Sequence, residues 1–205
     1  MADAFNQNLA GNRYYDRDFK VDAAKILPGE YFVTDHDMAL VTVLGSCVAA
    51  CIRDAETGIG GMNHFMLPDV GGRGRSGAAS DYGLAAMKSL IDHLLQAGAR
   101  RHRLEAKVFG GAALLGGLTS SQVGARNAAF VLDYLKTERI LVVARDLLGS
   151  QPRKLYYFPA SGRALVKKLR RMPNDASFAH TRGYEDRLSG DKAANDIARR
   201  ALAHG

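Results

Sequence analysis

Two apolar runs separated by one short polar turn constrain this chain more than any other feature. Leu44-Gly45-Ser46-Cys47-Val48-Ala49-Ala50-Cys51-Ile52 is followed by Arg53-Asp54-Ala55-Glu56-Thr57-Gly58, and then by Ile59-Gly60-Gly61-Met62-Asn63-His64-Phe65-Met66-Leu67-Pro68. Apolar runs of this length around a polar, glycine-ended turn predict two antiparallel neighbouring strands. Cys47 and His64 then face each other near one end of the hairpin.

That juxtaposition has a chemical reading and a plain one. A free thiol with a pKa near 8.5 is only a few per cent thiolate at neutral pH, and a touching imidazole both stabilises the thiolate and returns the proton to a leaving group. Gly45 allows a tight backbone turn before the cysteine, so amides from Gly45 to Cys47 can face a developing oxyanion. The plain reading is that cysteine is among the most buried residue types, and one Cys with one His can both be core residues.

The chain has 205 residues, in the single-domain range. With 47% hydrophobic and 24% charged residues it fits a globular protein, and it lacks any apolar stretch long enough to span a bilayer. The N-terminus lacks the basic-then-apolar pattern of a signal peptide, so a cytoplasmic location is expected. Two cysteines four positions apart give neither a disulfide framework nor a CxxC or zinc pattern; Cys51 reads as a small buried hydrophobe. Residues 1–150 carry 16 Lys+Arg and 16 Asp+Glu, whereas residues 151–205 carry 12 against 5. This basic end suits an acidic partner, nucleic acid or an anionic surface, or is simply a solvated tail. Without interleaved aromatics a nucleic-acid role is not expected.

Along the chain, residues 1–25 are polar and read as a loosely held arm, residues 26–170 as the folded domain, and residues 171–205 as a basic, partly disordered tail. Strands are expected at Glu30–Thr34, Ala39–Leu44, Leu104–Phe109, Ile140–Ala144 (as a buried strand), Lys154–Phe158 and Arg163–Leu169. His36, among acids in a turn, reads as solvated. Leu84, Met87, Leu90, Ile91, Leu94 and Leu95 give a helix over 81–97 that Gly98 ends, and a second helix is expected over 127–136. The small-residue stretch 70–80 reads as a mobile loop, and 112–122 shows no clear period. Gly110-Gly111 suits a tight backbone passage near a site, or a plain turn. About seven strands and two helices indicate a mixed α/β sandwich, helices packed on a largely antiparallel sheet system.

LGSCVAACIRD followed by GIGGMNHFMLPD resembles the signature of the CheD family, the chemoreceptor glutamine deamidases of bacterial chemotaxis. The likeness continues through Ala106-Lys107-Val108-Phe109-Gly110-Gly111, Val123-Gly124-Ala125-Arg126-Asn127 and Gln151-Pro152-Arg153-Lys154-Leu155-Tyr156-Tyr157-Phe158-Pro159, in order over residues 26–170. It implies a layered α/β/α fold similar to the cytotoxic necrotizing factor-type deamidases. It further implies hydrolysis of glutamine side-chain amides on methyl-accepting chemotaxis receptors, with Cys47 as nucleophile, His64 as base and no metal or organic cofactor. The family places a threonine a few residues before the cysteine, and Thr42 is the one threonine in this run. It stands five positions before Cys47, where an offset of six also occurs in the family; a one-residue slip on a strand reverses the face, and Val41 in the other register has no group to offer. Asp146-Leu147-Leu148-Gly149 departs from a family tendency toward Gly-Gly. The substrate implied is a long helical bundle, which requires a site that a projecting side chain can reach. A CheC-type phosphatase is a possible further partner in this family. Two other readings stay open: a non-catalytic module that regulates such a phosphatase or a receptor, and a thiol esterase acting on receptor methyl esters.

Overall fold

The computed structural model describes residues 9–67, 76–113 and 118–169. The ten strands named in them are β1 (Asn12–Asp16), β2 (Val21–Lys25), β3 (Tyr31–Thr34), β4 (Ala39–Leu44), β5 (Val48–Asp54), β6 (Gly60–Asn63), β7 (Leu104–Gly110), β8 (Leu141–Leu147), β9 (Arg153–Phe158) and β10 (Arg163–Lys168). Helix α1 spans Ser76–Gln96 and helix α2 spans Leu118–Thr137. The strands form two mixed sheets, one ordered β1-β2-β4-β9-β10 and the other β3-β6-β5-β7-β8. Only the β2–β4 and β7–β8 pairs are parallel, so both sheets are largely antiparallel.

Strand parity explains the layering. Val48, Ala50 and Ile52 on β5 join Met87, Leu90 and Leu94 of α1 and Val131 and Leu135 of α2 in one apolar cluster. Cys47, Ala49 and Cys51 point the other way and pack with Leu40, Leu44, Leu155 and Tyr157 of the opposite sheet. The second sheet therefore has both helices on one face and the first sheet on the other. This order, sheet on sheet on helices, corrects the α/β/α layering that the family resemblance implied. The helices share one side because the faces of β4 and β9 nearest the second sheet are themselves apolar and bury against it.

The hairpin expected between β5 and β6 is present, with Cys51 opposite Met62 and Arg53 opposite Gly60. Its turn is held by Asp54, whose Oδ1 accepts the amides of Glu56 (2.9 Å) and Thr57 (3.2 Å) and whose Oδ2 accepts that of Arg100 (2.9 Å). One buried carboxylate thus fixes both the turn and the connection from α1 to β7.

Several expectations need correction. Residues 12–25, read as part of a loose arm, form the β1–β2 hairpin, and β2 pairs with β4 through Ala23, Ala24 and Lys25. The misreading has a physical cause: β1 is an exposed edge whose polarity hides that Ala23 and Ala24 are fully buried one strand inward. The Ile140–Ala144 run is not a buried strand, because β8 lies at a sheet edge with Leu141 69% and Val143 42% exposed. Helix α2 begins at Leu118, well before 127: its first turns carry Thr, Ser and Gly, which mask the apolar period. Residues 76–80 belong to α1, not to a loop. The rest of the expected loop and the tail 171–205 lie outside the described residues.

Candidate functional site

The two sheets meet through the connection from β4 to β5, which passes from one sheet to the other at residues 45–47. Each carbonyl of this connection is taken by a donor from elsewhere. Gly45 O accepts the Ala112 amide (2.8 Å), Ser46 O accepts Asn127 Nδ2 (2.8 Å), and Cys47 O accepts the Gly111 amide (2.7 Å). In a trans peptide the N–H lies opposite the C=O, so the amides of Ser46 and Cys47 are turned away from these partners. The glycine pair Gly110-Gly111 at the end of β7 makes this possible. Gly110 has φ +113°, and a Cβ there would lie 2.2 Å from Cys47 O, so only glycine allows the two backbones to approach.

Across the ladder, Val48 and Phe65 exchange backbone hydrogen bonds of 3.0 and 2.9 Å. Cys47 and His64 are therefore diagonal neighbours on adjacent chains, a relation that spaces residues roughly 7 to 8 Å apart and lies within reach of a long side chain. The His64 backbone is pinned on its other side, its amide donating to Glu30 O (2.9 Å) and its carbonyl accepting the Gly29 amide (2.8 Å).

Thr42 comes from the opposite sheet. Leu40 and Leu44 point into the space between sheets while Val41 faces outward with Phe158, so Thr42 shares the inward parity. Its Oγ1 donates to Ile26 O at 2.7 Å and lies 2.8 Å from His64 Nδ1. The question of register is thereby answered: the five-residue offset brings this threonine, and not Val41, to the histidine.

The hydroxyl has one proton, and the Ile26 carbonyl can only accept it. Thr42 Oγ1 therefore meets the imidazole as an acceptor, which places the ring proton on Nδ1 and the lone pair on Nε2. Nε2 is buried and makes no hydrogen bond among the described residues. Burial pushes the His64 pKa down to about 4, a shift that the Ile26 carbonyl opposes only in part. The imidazole is neutral at neutral pH, which differs from the imidazolium–thiolate pair expected from the sequence. Held this way, it is equipped to take a proton at Nε2.

The structure departs from expectation in one further respect. Cys47 is 0% exposed and His64 2%, so the thiol is covered, whereas the reading of a helical-bundle substrate required a reachable site. Cys51, also fully buried, has its thiol pKa pushed well up by burial, in keeping with a packing role. His36 is solvent-exposed beside Asp35, as expected. Among the described residues, no group of three His, Cys, Asp or Glu side chains could hold a metal ion, and no helix is long and apolar enough to cross a membrane.

Two residues escaped the sequence reading. Tyr82 on α1 has its phenol pushed up to about 12 by burial and by nearness to Cys47. Asn127 on α2 is fully buried, with Oδ1 accepting the Leu67 amide (3.0 Å) while Nδ2 holds Ser46 O. The only signal for Asn127 was its place in the Val123–Asn127 stretch that carried the family resemblance.

Fold and site together define a two-sheet α/β protein with a buried cysteine and a threonine-held histidine on neighbouring segments at the seam between sheets. The family model for CheD, described as chemotactic sensory transduction, matches residues 66–168. That span begins after both Cys47 and His64, whereas the curated relatives cover them. "Probable chemoreceptor glutamine deamidase CheD 1" of Dechloromonas aromatica (strain RCB) is 64% identical over 96% of this chain and 98% of its own. Proteins named "Probable chemoreceptor glutamine deamidase CheD" from Janthinobacterium sp. (strain Marseille) and Herminiimonas arsenicoxydans are each 54% identical over the same shares. The chain belongs to the CheD family.

Proposed function

We propose that this protein hydrolyses the side-chain amides of selected glutamines on methyl-accepting chemotaxis receptors, in the cytoplasm, to give glutamate and ammonia. The observation that carries the reading is the Thr42 hydroxyl between Ile26 O and His64 Nδ1, which leaves the Nε2 lone pair for chemistry. The names of the relatives, which are chemoreceptor glutamine deamidases, supply the substrate class.

In this mechanism Cys47 Sγ attacks the amide carbon as its proton passes to His64 Nε2. The tetrahedral intermediate's oxygen is met by the Ser46 and Cys47 amides, and the imidazolium then protonates the departing ammonia. Water, deprotonated by the same nitrogen, attacks the thioester and releases glutamate and the thiol. Proton transfer accompanies attack, since a neutral imidazole is the resting form. No cofactor enters any of these steps. Kinship in fold with the cytotoxic necrotizing factor-type deamidases is part of this reading, as is binding of a CheC-type phosphatase. Because Cys47 is fully buried, this reading requires the site to open before a receptor glutamine reaches the sulfur.

That same burial supports a second reading, a non-catalytic module that regulates a CheC-type phosphatase or a receptor. A thiol esterase acting on receptor methyl esters would use the same side chains. Product analysis separates the three. With receptor fragments bearing glutamine or glutamate methyl ester at the modification sites, the deamidase reading predicts ammonia release that is lost in Cys47→Ser. Methanol without ammonia indicates the esterase, and neither product indicates the binding module.

A further inference from the structure

We propose that Asn127 is a positioning residue that sets the direction of the Cys47 amide, and thereby the oxyanion-binding ability of the site. The inference rests on the deamidase reading above. Asn127 is fully buried and uses both ends of its side chain. Nδ2 donates to Ser46 O at 2.8 Å, and Oδ1 accepts the Leu67 amide at 3.0 Å. Ser46 immediately precedes Cys47, and Leu67 lies three residues after His64. One amide group thus ties the cysteine's connection to the chain that carries the histidine, from a third element, α2.

The bond to Ser46 O fixes a peptide plane whose other end is the Cys47 N–H. With the carbonyl held toward Asn127, the N–H must point away from it, and that N–H is the oxyanion donor the deamidase reading uses. This peptide turns about the Ser46 ψ and Cys47 φ bonds, and a flip would carry the N–H toward α2 and remove the donor. Asn127 prevents rotation by offering a donor, not an acceptor, to that plane. Its position is itself guarded, because Gly124 one turn earlier packs on Gly111, where a Cβ would lie 2.5 Å from Gly111 O.

Asn127→Asp tests this with a signature that simple loosening does not give. The introduced carboxylate still accepts the Leu67 amide, but when ionised it repels Ser46 O and attracts the Cys47 N–H, favouring the rotated peptide. When protonated it again donates to Ser46 O. His64 and Tyr82 titrate in both proteins, so the readout is the ratio of variant to wild-type kcat at each pH, measured by ammonia release from a receptor cytoplasmic fragment. The expected result is a kcat lowered on the order of 100-fold at neutral pH with KM within a few-fold, and a ratio that rises as pH falls. A pH-independent ratio, or a kcat within twofold of wild type, overturns the proposal. If this variant does not fold, Asn127→Ser replaces it. Loss of at least tenfold in kcat with KM retained then supports the proposal, and kcat within twofold overturns it. Wild-type protein that releases no ammonia refutes instead the underlying deamidase reading.

Discussion

The Thr42 hydroxyl and the His64 imidazole, 42 on one sheet and 64 at the end of a strand in the other, are joined by a 2.8 Å hydrogen bond across the seam. Because the Thr42 proton is committed to Ile26 O, this contact fixes which ring nitrogen carries hydrogen. Thr42→Val keeps the shape and removes the oxygen. A buried ring N–H is then left without its acceptor, at a cost of about 1–3 kcal/mol, and the ring is free to take the other tautomer. Receptor deamidation should fall at least tenfold in Thr42→Val and be largely retained in Thr42→Ser. Equal rates for Val and wild type would remove Thr42 from the mechanism.

His64 also predicts how activity and stability depend on pH. Its folded pKa, about 4, lies below the ordinary value of 6.5, so the unfolded chain binds the proton more readily. The associated stability is fully present above about pH 6.5 and is lost as pH falls toward 4, by about 3 kcal/mol in total. Urea unfolding at pH 7 and pH 4.5 should show this loss in wild type and a smaller one in His64→Gln. kcat/KM should fall only at lower pH, with a midpoint near the folded value of about 4, since a protonated Nε2 cannot accept the thiol proton.

Gly110 predicts a steric effect at a distance from any reacting atom. A methyl group there meets Cys47 O at 2.2 Å in a backbone conformation with φ +113°. Gly110→Ala should therefore destabilise by more than about 1 kcal/mol and lower deamidation more than its stability loss explains, because the Cys47 carbonyl has to move. Thermal melts read alongside ammonia release at a temperature where the variant is folded check both parts.

The second cysteine separates nucleophile from filler. Cys51 is fully buried between the sheets, and its thiol is disfavoured from ionising. Cys51→Ala should cost about 1 kcal/mol through the small cavity it leaves and keep kcat within twofold. A large loss of activity in a well-folded Cys51→Ala protein would mean that the reacting sulfur has been misassigned.

How much of this was readable beforehand follows from how local each signal is. The hairpin that carries Cys47 and His64 was readable because its apolar runs, polar turn and Asp54 lie within a few residues of one another. Thr42 was nameable but not placeable, since its partner belongs to a different sheet and the register depends on the β4–β5 connection. Asn127 was not readable as a site residue, as its partners Ser46 and Leu67 are 81 and 60 positions away and the helix around it has a weak period. The β1–β2 hairpin was missed because an edge strand looks like a loop in composition. The layer order was missed because the cluster joining Leu40, Leu44 and Leu155 to Cys51 is assembled from strands far apart in sequence. Coverage of the sulfur depends on packing across those same strands, which the apolar run alone did not reveal.

The most direct test of the account is the mass of the substrate. A receptor cytoplasmic fragment is incubated with wild-type protein and, separately, with Cys47→Ala, and its intact mass is recorded over time. The account predicts a gain of about 1 Da per modified glutamine, the amide-to-acid difference, with the wild type only. An equal gain with Cys47→Ala, or no gain with either protein, would contradict it.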